Sequence, residues 1–225
     1  MTDILKNLNR KIDHAALHSE VNEQSVLALC REARDYQFYA VAVNPVWTQS
    51  ATRELAGSRT KVVTVTGFPL GANRTETKLA EALNGVNDGA NEIDMVANIG
   101  WLVSGEYGKA EQEISTLRKG LPFSIVLKVI IEAAKLSTEQ QIMATRAVIN
   151  GGAQFVKTGT GFFGGTTTDQ VKTLFRTSEE KIKIKASGEI RTLSDCENLL
   201  KAGAERLGSS SSVAIMRELA ARSTA

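Results

Sequence analysis

The stretch INGGAQFVKT, residues 149–158, closes a helical segment, turns through Gly152 and enters a short apolar strand that finishes on Lys157. Two other stretches, NDGANEIDMV (residues 87–96) and LKAGAERLGS (residues 200–209), follow the same order of helix end, Gly-Ala, polar residue and apolar strand. Glycine enters the left-handed conformation in which helices commonly stop. Gly89, Gly152 and Gly203 are therefore expected helix terminators. Their spacing is about two βα units, taking a unit as ~25–30 residues. Outward from these anchors the chain alternates throughout. Strands are predicted near 11–14, 38–44, 61–67, 92–97, 124–131, 154–158, 181–187 and 205–208. Helices are predicted near 22–35, 46–55, 75–88, 107–119, 137–150, 168–176, 193–202 and 211–222. Eight strands, each followed by a helix, make the pattern of an α/β protein of the (β/α)8 TIM-barrel type. Runs such as KVVTVT and IVLKVII are rich in β-branched residues, as strands covered on both faces should be. No linker or shift of composition divides the chain, so a single barrel domain spanning 1–225 is expected.

The 225 residues are 42% hydrophobic and 23% charged, an ordinary globular composition. The net charge is only +2, and the basic residues are scattered among acids, which argues against nucleic acid as a partner. No apolar run approaches the ~18 residues of a membrane span. The segment MTDILKNLNRKIDHAAL lacks the apolar core of a signal peptide. Cys30 and Cys196 lie far apart and fit no metal spacing. A cytoplasmic protein with reduced thiols is the expectation.

Barrel sites lie at the C-terminal ends of the strands. Alternation along NEIDMVAN puts Glu92, Asp94 and Val96 on one face, and Ile93, Met95 and Ala97 on the other. In VLKVIIE, Lys128, Ile130 and Glu132 share a face. In KIKIKAS, Ile182 and Ile184 point to the helices, while Lys181, Lys183, Lys185 and Ser187 share the axial face. Asp94, Lys128, Lys157 and Lys185 thus become candidates for one interior cluster. Singly, each has an ordinary explanation. A strand-end lysine commonly reaches water or a carboxylate, Lys181 and Lys183 begin their strand near the barrel floor, and Asp94 could serve only as a partner for Lys128. Together they carry more. Lysines gathered in an apolar barrel depress each other's pKa. A neutral lysine attacks a carbonyl carbon to give a Schiff base, and a neighbouring carboxylate can move protons.

Two turns give a second signal. ASGEIRT and RLGSSSS each set glycine and serine just before a helix, after strands seven and eight. Those loops are the usual phosphate site of this fold, because backbone N–H groups at a helix start bind anions. Serine as a plain helix cap explains either turn alone. HAALH places His14 and His18 four apart, a metal spacing on a helix, but with no third ligand. GFPLGAN is expected to shape a loop, and Phe162 and Phe163 are expected to pack beneath theirs, the alternative being that they line a pocket mouth. TGTGFFGG lacks the spacing of a dinucleotide fingerprint.

The blocks KIDHAAL, VAVNP, TVTGFPLGA, NEIDMV, LKVIIE, FVKTGTGF, IKASGEIR and LGSSS, in this order over nearly the whole chain, resemble the DeoC-type class I aldolases, the deoxyribose-phosphate aldolase family. The resemblance implies a (β/α)8 barrel that reversibly cleaves 2-deoxy-D-ribose 5-phosphate to acetaldehyde and D-glyceraldehyde 3-phosphate. It implies no metal and no organic cofactor, and a homodimer. By motif it makes Lys157 the Schiff-base lysine, Asp94 the proton donor and acceptor, and Lys185 the second catalytic lysine, which lowers the pKa of Lys157. Lys128 and Asp13 become supporting polar groups of the substrate site. Gly188, Gly208, Ser210 and Ser211, with Gly161 close by, become the phosphate rest. Two positions depart from the family pattern: Ala42 stands where many relatives have cysteine, and Glu189 where many have a second glycine. The first removes no catalytic group. The second sets a carboxylate beside the phosphate, which it repels unless the side chain turns away. A transaldolase-like Schiff-base barrel and a non-catalytic sugar-phosphate binder are the competing expectations.

Overall fold

The computed structural model describes residues 3–224. Eight parallel strands close into a barrel in sequence order. They are β1 (Ile12–Ala16), β2 (Ala40–Val43), β3 (Lys61–Thr66), β4 (Glu92–Val96), β5 (Val126–Ile130), β6 (Phe155–Lys157), β7 (Lys183–Ser187) and β8 (Arg206–Ser209). Pairing of β1 with β8 shuts the ring and sets Asp13 level with Gly208. The helices between them are α1 (Glu23–Asp35), α2 (Thr48–Glu54), α3 (Thr75–Asn87), α4 (Ile99–Val103), α5 (Tyr107–Gly120), α6 (Thr138–Asn150), α7 (Thr168–Ser178), α8 (Leu193–Lys201) and α9 (Ser212–Thr224).

Local chemistry sets the element ends. Capping boxes open α6, α7 and α8, through Ser137 with Gln140, Thr167 with Gln170, and Thr192 with Asp195. Each satisfies N–H groups that a helix start leaves unpaired. Gly89, Gly152 and Gly203 follow α3, α6 and α8 with φ of +100°, +82° and +113°, as expected of helix terminators. The strands are shorter than their apolar runs. Ser124 and Ile125, for example, lie outside β5, and Ile125 N donates to Pro122 O (3.1 Å) in a turn. Helix α4 was not expected. Its five residues are too few for a period to show, and only the cap, Asn98 accepting from Trp101 N, marks it.

The outward strand faces pack under the helices in one large apolar core. The barrel interior is divided. On the β2–β3 side it holds Ala40, Ala42 and Val63, with Ala15 and Leu17 packed against them. On the other side it holds charge: Asp13, Glu92, Asp94, Lys128, Lys157, Lys185 and Arg206 are all buried. A buried pair outside the barrel steadies β4. Lys78 Nζ donates to Val96 O and to Glu113 (both 2.8 Å), while Glu113 accepts from Asn98 N (3.2 Å).

Lys181 and Lys183 reach solvent and pair with Glu179 and Glu205, as a floor position requires. HAALH is not a helix. His14 lies on β1 with its ring turned out to Glu32 of α1 (2.8 Å) and Phe38, whereas His18 sits at the barrel mouth beside Phe162. The two imidazoles therefore cannot share an ion. Alternation along a strand, rather than helical period, governs them. Cys30 and Cys196 are free and buried, and burial pushes both thiols up to about 12. Among the described residues no helix is long and apolar enough to cross a membrane.

The loop GFPLGAN folds back on the end of β4. Gly71 has φ +67°, and a Cβ there would stand 2.1 Å from Ala97 O, a backbone atom that cannot yield. Gly71→Ala is expected to cost about 2 kcal/mol or more, from left-handed strain plus overpacking. Urea unfolding measures it, and a loss under about 0.5 kcal/mol would show that the loop is free to move.

Candidate active site

Asp94 lies at the centre of the charged half. Its Oδ1 accepts from Lys128 Nζ (2.7 Å), and its Oδ2 accepts from both Lys157 Nζ (2.7 Å) and Lys185 Nζ (2.8 Å). The sheet register explains the convergence. Asp94 is level with Lys128 across β4–β5, and Lys157 with Lys185 across β6–β7. Lys185 also donates to Asp13 Oδ2 (2.5 Å), whose Oδ1 accepts from Arg206 (2.9 Å). Lys128 meets Glu92 as well (2.6 Å).

Each charge is tuned by its surroundings. Burial pushes the Asp94 carboxyl up, but the ammonium groups of Lys128, Lys157 and Lys185 reverse this and hold it well below the usual carboxylate range. Asp13 is opposed by burial too, yet Lys185, Arg206 and Lys128 bring it down to about 2. Lys128 is pulled down by burial and more strongly raised by Asp94, Glu92 and Asp13, so it keeps its proton. Lys157 goes the other way. Burial first, then Lys185 and Lys128, lower it to about 8 against the pull of Asp94. Desolvation therefore does more than the second lysine.

Above this cluster a cavity continuous with solvent opens at the C-terminal ends of the strands. Lys157, Lys185 and Asp13 reach it, as do Gly161, Gly188, Gly208 and Ser210. Three expected residues do not line it. Lys128 and Asp94 are fully buried beneath it. Lys128 is tied down by Asp94 and Glu92 and does not border the cavity. Ser211 does not border it, and its backbone N–H donates to Ser209 Oγ (2.9 Å). Phe162 was expected to pack beneath its loop but stands at the mouth, edge-on to Phe68 at 5.4 Å.

Several contributors escaped the sequence. Glu132, buried at the end of β5 with φ +51°, accepts from Thr160 N (3.0 Å) and Thr160 Oγ1 (2.8 Å), fixing the loop after Lys157. Thr158 and Ser187 lock the ends of β6 and β7 together: Thr158 Oγ1 donates to Ser187 O and accepts from Ser187 N, both at 3.0 Å. Arg206 is two residues before Gly208, so alternation alone could have placed it on the inner face.

A closed parallel barrel with a desolvated amine at its mouth is the frame of a carbonyl-attacking β/α-barrel enzyme. The chain belongs to the DeoC/LacD family of aldolases, whose family model matches residues 9–215. A deoxyribose-phosphate aldolase of Clostridium kluyveri is 44% identical over 214 residues, covering 95% of this chain and 98% of that protein. Among solved structures, an aldolase called QR15 superposes with a TM-score of 0.92 at 36% identity, over 100% of this chain and 99% of that one. A deoxyribose phosphate aldolase from Aeropyrum pernix, described as a unique tetramer, superposes with a TM-score of 0.89 at 30% identity, over 97% of each chain.

A buried amine held near 8 carries a cost. Its pKa when unfolded is about 10.4, so folding is opposed in full below about pH 8, and the penalty disappears above about pH 10.4. Lys157→Met should therefore raise unfolding free energy at pH 7 by up to ~3 kcal/mol, with the gain fading toward pH 10. Urea unfolding at the two pH values tests this. A gain that does not change with pH would show that the amine is not the source.

Proposed function

We infer that the protein is a class I aldolase that reversibly cleaves 2-deoxy-D-ribose 5-phosphate to acetaldehyde and D-glyceraldehyde 3-phosphate. The single observation that carries the mechanism is Lys157, buried, lowered to about 8, and facing the cavity. Its neutral amine attacks C1 of the open-chain sugar. Loss of water leaves a protonated imine, which serves as the electron sink. A base takes the C3 hydroxyl proton, the C2–C3 bond breaks, and glyceraldehyde 3-phosphate departs. The enamine left on Lys157 is protonated at C2, and hydrolysis of the imine frees acetaldehyde and the amine.

Asp94 and Lys185 handle the protons. Asp94 rests as a carboxylate, so it begins as an acceptor. Its Oδ2 touches both Lys157 Nζ and Lys185 Nζ, which makes it a relay between the two amines. Lys185 borders the cavity with Asp13 behind it, placed to exchange a proton with the substrate oxygen. The phosphate rests on the Gly188, Gly208 and Ser210 side of the mouth, where α8 and α9 begin beyond their loops, with Gly161 opposite.

The free, buried thiols suit a cytoplasmic enzyme. The family resemblance favours a homodimer, and sedimentation distinguishes it from a tetramer like that described for the Aeropyrum pernix protein.

Borohydride reduction in the presence of acetaldehyde should fix a two-carbon adduct on Lys157, and Lys157→Ala should lose cleavage while remaining folded. Peptide mapping decides, and an adduct on Lys128 or Lys185 would refute the assignment. Removing the 5-phosphate from the substrate should lower kcat/KM by ~2–5 kcal/mol of transition-state stabilisation, the worth of several charge-assisted hydrogen bonds. Equal kcat/KM for the two sugars would remove the phosphate site.

A further inference from the structure

Glu92 and Arg206 are given no step in the proposed mechanism, yet both are buried in the barrel. Together with the catalytic groups they close a circuit. Asp94 accepts from Lys128 (2.7 Å), Lys128 meets Glu92 (2.6 Å), and Glu92 faces Arg206 (3.6 Å). Arg206 donates to Asp13 (2.9 Å), Asp13 accepts from Lys185 (2.5 Å), and Lys185 returns to Asp94 (2.8 Å). The sign alternates at every step. Three carboxylates and three cations cancel. Lys157 is the fourth cation, joined to the ring through Asp94 Oδ2.

Charges taken out of water are tolerated when paired, and a surplus is opposed. A neutral ring therefore places the burden of losing a proton on the cation outside it. We propose that Glu92 and Arg206 are positioning residues that complete a charge-balanced ring, and that this balance selects Lys157, rather than Lys128 or Lys185, as the uncharged amine. The proposal rests on the Schiff-base function above.

The other groups near Lys157 do not supply the selection. From β4 it meets Asp94, which also accepts from Lys128 of β5 and Lys185 of β7, and Asp13 of β1 lies beyond Lys185. Glu132 at the end of β5 engages Thr160 through Oε2, its Oε1 is buried without a hydrogen bond among the described residues, and it is not among the main charges that shift Lys157. His18, Glu189 and Arg191 line the mouth and are exposed, so water screens them. Arg206 is suited to its place. It lies 3.4 Å over the Tyr39 ring and carries a charge that cannot be lost, where a lysine could deprotonate and unbalance the ring.

The sign of each substitution follows. Glu92→Gln leaves the ring with one excess positive charge, which favours neutral Lys157. Arg206→Met leaves one excess negative charge, which holds the proton on Lys157. Glu92→Gln with Arg206→Met restores the balance. The experiment is cyanoborohydride trapping of acetaldehyde as a function of pH, with the adduct located by peptide mapping and folding checked by circular dichroism. The midpoint should fall by about one pH unit in Glu92→Gln, rise by about one in Arg206→Met, and return to within about 0.3 in the double variant. A structural role alone would not move the midpoints in opposite directions. An unshifted midpoint in folded Glu92→Gln, shifts of one sign in both single variants, or no return in the double would overturn the proposal. Should Arg206→Met fail to fold, the isosteric Glu92→Gln decides by itself. An adduct on a lysine other than Lys157 in the unaltered protein refutes the nucleophile instead, and is told apart by the map.

Discussion

Asp94 accepts hydrogen bonds from three ammonium groups that arrive on three different strands, and the interior of the barrel depends on that one carboxylate. Without it, Lys128, Lys157 and Lys185 would face one another in a poorly hydrated interior, where like charges repel with little screening. With it, β4 through β7 can bring their inner faces together. The contact is structural and chemical at once. It allows the lysines to approach, and it places Lys157, the nucleophile of the proposed mechanism, and Lys185 on the same oxygen.

The apolar half of the interior is the other requirement. The side chains of Ala40, Ala42 and Val63 offer no hydrogen bonds, and Ala42 lines the cavity opposite the charged half. Burial is the largest influence on Lys157, ahead of its lysine neighbours. A polar wall there would admit water and return the amine toward its ordinary range. The barrel thus gives up stability to keep a poorly solvated amine, and recovers it in the outer apolar core and in the locks at the strand ends. Those locks, Glu132 on Thr160 and Thr158 on Ser187, hold the loops still around a group whose reactivity depends on its position.

The fold was legible because its signals are local. The repeat that ends in Gly89, Gly152 and Gly203 marks helix stops, and strand alternation sets the inner faces of β4, β5 and β7. Asp94, Lys128 and Lys185 could therefore be assigned to the interior before any coordinates, and Lys157 followed from its strand end. What was hidden depends on closure. Asp13 and Arg206 are 193 residues apart in the chain and meet only because β1 pairs with β8. The balance of burial against charge at Lys157 was equally invisible, since it depends on which walls surround the amine. Short features also escaped. Five-residue α4 has no period, and HAALH fits a helical spacing by coincidence while lying on a strand and its loop.

Glu189 shows how a departure from the family pattern is absorbed. Its backbone has φ +57°, a conformation that glycine enters freely and other residues adopt at a cost on the order of 1 kcal/mol or more. The chain keeps the glycine-like path of the loop after β7 and adds a carboxylate to it. That side chain is exposed and rests against Gly165, in the loop after β6, where a Cβ on Gly165 would stand 3.0 Å from Glu189 Oε2. A hydrated carboxylate at the rim repels a phosphate far less than a buried one, because water and salt screen it. Arg191, two residues on, borders the same cavity and supplies a charge of opposite sign. In the phosphate rest proposed above, Glu189 and Arg191 are therefore a pair of opposite charges at its edge, beside Gly188 and Gly208.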